Sequence, residues 1–159
     1  MFHGIWILLL AILPVTAYSK AIQVDNVLVV KSERALYLRS GSSIVKKYPV
    51  SLGKKPHGNK IKEGDKKTPE GSYVLDWRNP KSKFYKSIHI SYPTEEQSYK
   101  AEKHGINPGG MIMIHGLPKR SKMQLEGLDW TDGCIAVSNH HMDEIWHFVA
   151  DGTPIHIYP

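Results

Sequence analysis

Residues 129–139 read DWTDGCIAVSN. Asp132-Gly133 is a turn signal, and the apolar run Ile135-Ala136-Val137 after it suits a short buried strand. Asn139 then stands where a helix can begin. Met142, Ile145, Trp146 and Val149 follow at helical spacing, with Asp143 and Glu144 near the start and Gly152 as a stop. The stretch therefore predicts turn, strand and helix in quick succession. Its Cys134 is the only cysteine of the chain.

Upstream the pattern is of strands. IQVDNVLVVKS (22–32), RALYLRSG (34–41) and SIVKKYPVSLG (43–53) carry alternating apolar runs, as do GSYVLDW (71–77), KSIHISYP (86–93) and GGMIMIHG (109–116). TPIHIYP (153–159) closes the chain as a last strand. Residues 53–71, dense in Lys, Gly and Pro, predict a long exposed loop ending in a turn at Pro69-Glu70-Gly71. Its lysines read either as a landing strip for an acidic substrate or as a solvated loop. The fold class expected is mainly β, a sandwich or partly open barrel, with one helix in the C-terminal region.

The N-terminal segment differs from the rest. An apolar run from Ile5 to Leu13, then Pro14 and Val15-Thr16-Ala17, has the form of a secretory signal peptide cleaved after Ala17. The run is shorter than the ~20 residues a spanning helix needs. An uncleaved anchor is the alternative, and membrane contact is then expected through this segment alone. Residues 18–159 are left as one domain. None of residues 1–17 is charged at the side chain, so the remainder keeps the formal +6. That charge suits anionic surroundings such as an acidic wall polymer, or serves solubility. Nucleic acid is disfavoured, since no basic helix or stacking-aromatic motif accompanies the charge.

In an exported chain a lone cysteine points to a reactive thiol or an intermolecular partner, against the plain alternative of a buried inert side chain. A thiol becomes a nucleophile beside a base, usually a histidine distant in sequence. Of nine histidines, His115 has the matching position: it ends the apolar strand GGMIMI and precedes Gly116, which permits close approach of a backbone or substrate. Strand ends carrying His115 and Cys134 can lie side by side, with N–H groups around Asp132-Gly133-Cys134 facing a developing oxyanion. A metal site from Cys134, His115 and His140 is conceivable on residue type, but no Glu-flanked histidine pair or second cysteine supports it. No G-x-S-x-G motif supports a serine triad. Tyr92 and Trp130 are candidates for packing or for recognition.

With IHG, a gap, and WTDGCIAVSNHHMDEIW in order, and with KKTPEGSYVL and ISYPTEEQSYKAEKHGINPGG upstream, the chain resembles the L,D-transpeptidase catalytic domain, or YkuD-like, family. The resemblance runs from about Val27 to Tyr158. It implies an exported cysteine acyltransferase of the periplasm or cell wall that acts on peptidoglycan stem peptides and needs no metal or organic cofactor. Cys134 would attack the amide between diaminopimelate and D-alanine, and His115 would be the base, oriented by the Gly116 carbonyl. Gly133 and the Cys134 N–H would belong to the oxyanion hole. Asp132, Thr131, Trp130 and Tyr92 would serve substrate binding. The thioester would pass to an amine, on a second stem or on a wall-attached protein. A carboxypeptidase or amidase that gives it to water is the alternative, and a non-catalytic wall-binding protein is the alternative of another class. Two departures stand out: Ala136 occupies a position where many members have Arg, and Asp132 precedes the Gly-Cys pair where others have His or Asn.

Overall fold

The computed structural model describes residues 23–118 and 127–159. The expected signal segment, 1–17, and residues 119–126 of the connection before Asp129 lie outside the described residues. Eight strands form one sheet: β1 (Asn26–Val30), β2 (Ala35–Ser40), β3 (Ser43–Pro49), β4 (Gly71–Asn79), β5 (Ser87–Ile90), β6 (Met113–His115), β7 (Ile135–Ala136) and β8 (Thr153–Tyr158). Their order across the sheet is β3-β2-β1-β8-β4-β5-β6-β7. The β1–β8 and β6–β7 pairs are parallel, and the others antiparallel.

Side chains alternate across a strand, and the burial follows. Val27 and Val29 of β1, and Thr153, Ile155 and Ile157 of β8, point inward while their neighbours face out. The central strands add Leu75, Ile88, Ile90 and Ile114, all fully buried. The sheet curls until its edges meet. Ser51, just past β3, exchanges both backbone hydrogen bonds with Ala136 of β7 at 2.8 Å, and Leu52 and Lys54 bond the backbone of Thr131 at 3.1 and 3.0 Å. This curled half-barrel is the mainly β architecture expected, and its closure holds the Thr131–Ala136 segment in place. Edge strands left open would be pairing hazards, and closure removes that liability.

The helix expected near the C-terminus is α2 (Asn139–Phe148). Met142 and Ile145 are fully buried, and Val149 beside them nearly so. Burial of each large side chain contributes roughly 1.5–3 kcal/mol. The cap, however, is Ser138, whose Oγ accepts the His141 N–H at 3.2 Å. Asn139 lies one residue inside and has other work. Arg78 of β4 fastens the far end: its guanidinium lies 5.0 Å from the Trp146 ring centroid and donates to the Trp146 carbonyl at 2.6 Å and to the Val149 carbonyl. A cation there also suits the negative end of the helix dipole.

Two expectations need correction. A second helix, α1 (Glu95–Lys103), precedes β6. Only Ala101 of it is buried, so no apolar stripe betrays it. The local signal is its start: Thr94 and Gln97 form a reciprocal capping box, followed by acids in the first turn and lysines in the last. The 53–71 segment, for its part, is not a freely solvated loop. Lys60 is buried and paired with Asp65 at 2.9 Å, and the Asp65 carboxylate also accepts the N–H groups of Ile61, Lys62 and Lys67. Lys31, 2% exposed, donates to the carbonyls of Gly58 and Thr68 and to Glu70. A buried ammonium must be paired, and here the loop supplies the partners. Among the described residues no helix is long and apolar enough to cross a membrane.

Candidate active site

Strands β6 and β7 run parallel, with Ile114 opposite Ile135 and His115 opposite Ala136. Cys134, one residue before Ile135, therefore lies beside Met113, and His115 follows two positions on. Cys134 and His115 line the same cleft, of about 520 Å³, with Met111, Met113, Phe84 and Trp77 among its walls. The thiol donates to the Met111 carbonyl at 3.7 Å. Met111 holds φ at +56°, a left-handed conformation that is uncommon for a side chain of its size and typical of functional sites.

The imidazole of His115 is almost fully buried, between Phe84 at 4.6 Å and Trp130 at 5.7 Å between ring centroids. Its Nδ1 lies 2.6 Å from the Gly116 carbonyl oxygen. A carbonyl only accepts, so Nδ1 carries the proton and Nε2 is the basic nitrogen. Burial pushes the imidazole below its ordinary value, against the opposing pull of the Gly116 carbonyl. Burial likewise pushes the Cys134 thiol up, and the charge of Asp132 adds to it; the Met113 N–H and the Lys60 ammonium act the other way. Both directions favour the neutral thiol and the neutral imidazole.

Gly116 is required by crowding. A Cβ there would stand 2.5 Å from Asn139 Oδ1 and 2.9 Å from Tyr85 Cβ. Asn139 Oδ1 accepts the Leu117 N–H at 2.8 Å, and so fixes the backbone immediately after His115. That role was not legible in the sequence, where Asn139 reads only as a cap. Gly133 sits at φ +133°, and a Cβ on it would meet the Lys67 carbonyl at 2.7 Å.

The remaining expected residues divide. Thr131 is buried, and its hydroxyl donates to the Cys134 carbonyl at 2.7 Å while accepting the Gly133 N–H at 3.1 Å. It ties the loop together and does not line the cleft. The Gly133 N–H, expected in an oxyanion hole, is engaged by this bond. The Cys134 N–H has no acceptor among the described residues. Asp132 is exposed, and pairs with Lys54 at 3.2 Å and Lys66 at 3.3 Å. These lysines hold its carboxyl below the usual range, and it fixes no histidine. Trp130 packs edge-on against the His115 ring. Tyr92 is brought elsewhere: it is buried, donates to the Pro108 carbonyl at 3.2 Å and borders a separate cavity with Gln97 and Ala101. Ala136 is buried in the seam with Ser51. His140 is on α2, 3.3 Å from Glu144, and does not line the cleft of Cys134 and His115. Among the described residues no group of three or more His, Cys, Asp or Glu is placed to hold a metal ion.

Comparison with known proteins identifies the family. The model of the L,D-transpeptidase catalytic domain, YkuD, matches residues 22–157. The candidate L,D-transpeptidase YafK of Escherichia coli (strain K12) is 33% identical over 144 residues, which cover 81% of this chain and 51% of that protein. Among solved structures, the helical cell shape determining protein Pgp2 of Campylobacter jejuni (K307A mutant) superposes with a TM-score of 0.66 at 26% identity, over 86% of this chain and 47% of that one. Bd1075 of Bdellovibrio bacteriovorus superposes with a TM-score of 0.59 at 26% identity, over 89% of this chain and 50% of that one. The chain spans about half the length of these relatives. Fold, motif order and the matched span agree, and the chain belongs to the L,D-transpeptidase catalytic domain (YkuD) family.

Proposed function

We propose that this protein is an exported cysteine acyltransferase acting on peptidoglycan stem peptides, with Cys134 as nucleophile and His115 as base. The observation that carries the reading is the shared cleft: a lone thiol just before β7 and an imidazole of fixed tautomer at the end of β6, its parallel neighbour, line one cavity. As Sγ adds to the carbonyl carbon of the diaminopimelate–D-alanine amide, His115 Nε2 takes the thiol proton. The Cys134 N–H donates to the oxyanion. Collapse breaks the C–N bond, the imidazolium proton goes to the leaving amine, and D-alanine departs from a thioester. An incoming amine then attacks, gives its proton to His115, and releases the sulfur, which takes the proton back. The step balances with no cofactor. Export rests on residues 1–17, whose apolar run and small residues have the form of a signal segment.

A specific observation favours a second reading, in which water resolves the thioester. At position 136, where many members carry Arg, the buried Ala136 presents no guanidinium for placing donor or acceptor, and a poorly held amine leaves the thioester to water. Intact-protein mass spectrometry after mixing with a disaccharide-tetrapeptide, beside Cys134→Ala, tests both readings. An adduct of substrate less D-alanine, absent from the variant, supports acyl transfer, and product masses separate cross-linked dimer from free tripeptide. No adduct and no turnover on the tetrapeptide would overturn the assignment.

A further inference from the structure

Across the sheet from Cys134 runs a row of side chains that the catalytic reading leaves unused beyond Met113. His89 of β5 is in register with Met113 of β6. On the other side of β5 the pairing with β4 slips: Leu75 pairs with Ile90 and Arg78 with Ile88, so Asp76 and Trp77 both oppose His89. Such a bulge re-aims a side chain. Here it turns Trp77 onto the face of His89, where the rings stack at 4.8 Å between centroids and 15° between planes. Asp76 Oδ1 lies 2.7 Å from His89 Nδ1 and fixes the imidazole from behind. The indole is 39% exposed and lines the same cleft as Cys134. Among the described residues His89 is the ring stacked on it.

A large aromatic held rigidly in a cleft wall, with one face covered and one open, is a surface for a flat apolar ligand face. The apolar C–H face of a pyranose is such a surface, and its hydroxyl and N-acetyl groups need polar neighbours. Asn79 of β4 lines the same wall. Distance selects the ligand further. Three strand spacings separate β7 from β4, about 14 Å at ~4.8 Å each. The three residues of a stem acyl group span ~10–11 Å when extended, and the lactyl ether that ties them to the sugar adds a few ångström.

We infer that Trp77, backed by His89 and Asp76, is a glycan platform that takes the N-acetylated amino sugar carrying the stem peptide whose acyl group reaches Cys134. The inference rests on the proposed function for the identity of the acyl group, but the platform itself is testable without catalysis. With the full chain, kcat/KM is measured for a disaccharide-tetrapeptide and for the sugar-free tetrapeptide. The expected ratio is about tenfold in favour of the glycosylated substrate, collapsing to near one in Trp77→Ala and largely restored in Trp77→Phe. A ratio of one in the unaltered protein, or a ratio that survives Trp77→Ala, overturns the platform. A loss of turnover shared equally by both substrates in Trp77→Ala does so too, since it marks packing or a peptide contact. If neither substrate turns over, the proposed function fails, and binding of the peptide-free disaccharide decides the platform. The Trp77 indole N–H resonance, assigned with Trp77→Phe, is expected to shift on titration with the disaccharide; no shift overturns the inference.

Discussion

Adding one methyl group, Gly116→Ala, is expected to disable the proposed base, His115, while leaving the fold standing. The new Cβ would lie 2.5 Å from Asn139 Oδ1 and 2.9 Å from Tyr85 Cβ, where ordinary contact begins at 3.4 Å. Neither neighbour is a free end. Asn139 Oδ1 is held by the Leu117 N–H at 2.8 Å, and the Tyr85 hydroxyl donates to both oxygens of Asp143 at 3.0 and 2.9 Å. The easiest group to move is the Gly116 peptide, whose carbonyl holds His115 Nδ1 at 2.6 Å. Overpacking of this kind costs about 1–3 kcal/mol, or a drop in Tm of roughly 3–10 °C for a chain of this size. Loss of the orienting hydrogen bond and a shift approaching an ångström at the base cost about 100-fold in kcat/KM. The assay is the rate of acyl-enzyme formation by intact mass, read beside Tm. Asn139→Ala in the same chain removes the 2.5 Å clash, so the double variant should be no worse than Gly116→Ala alone, a coupling of about 1 kcal/mol. A Gly116→Ala protein with undiminished kcat/KM would refute the account of Gly116 and the orientation it gives His115.

Other consequences can be measured directly. As the proposed base, His115 would act only when neutral, and burial lowers its value, so kcat/KM should hold as pH falls to the ordinary imidazole range near ~6.5 and decline only below it; an acid limb centred above pH 7 would contradict this. Asp132→Asn removes a negative charge that raises the Cys134 thiol and frees Lys54 and Lys66, so iodoacetamide should alkylate Cys134 about 2–5 times faster at neutral pH, and slower alkylation would count against it. Burial pushes the Asp65 carboxyl up, but the Ile61 N–H, the Lys60 ammonium and the N–H groups of Lys62 and Lys67 outweigh it and hold it at about 2. Its folded value lies below its unfolded one, so its stabilisation is present above pH ~4 and is lost as pH falls toward 2. Asp65→Asn should therefore cost about 2–3 kcal/mol at pH 7 in denaturant melts, a gap that closes between pH 4 and 2; a gap independent of pH would disprove the linkage.

The sequence by itself determined which residues form most of the strands and which residues are candidates for the site. Period-two alternation in NVLVV and TPIHIY fixes the buried face because successive side chains of a strand must point oppositely, whatever the strand pairs with. The lone Cys134 after a Gly turn, and His115 ahead of a glycine, are equally local facts of chain chemistry. Helix α1 was legible only in its capping box, because a helix that buries one alanine leaves no apolar period to read. What the tertiary structure alone decided is which of these local pieces meet. Asn139 became the clamp on Leu117 because α2 is brought against the chain that follows β6, and the Thr131 backbone was fastened to Leu52 and Lys54 by the seam between the sheet's edges. Tyr92, as aromatic as Trp77, went to a different cavity, while the β4 bulge carried Trp77 to the cleft. Hydrogen-bond register across a sheet is set by the whole curled assembly, and no single strand encodes the row it will share with its neighbours.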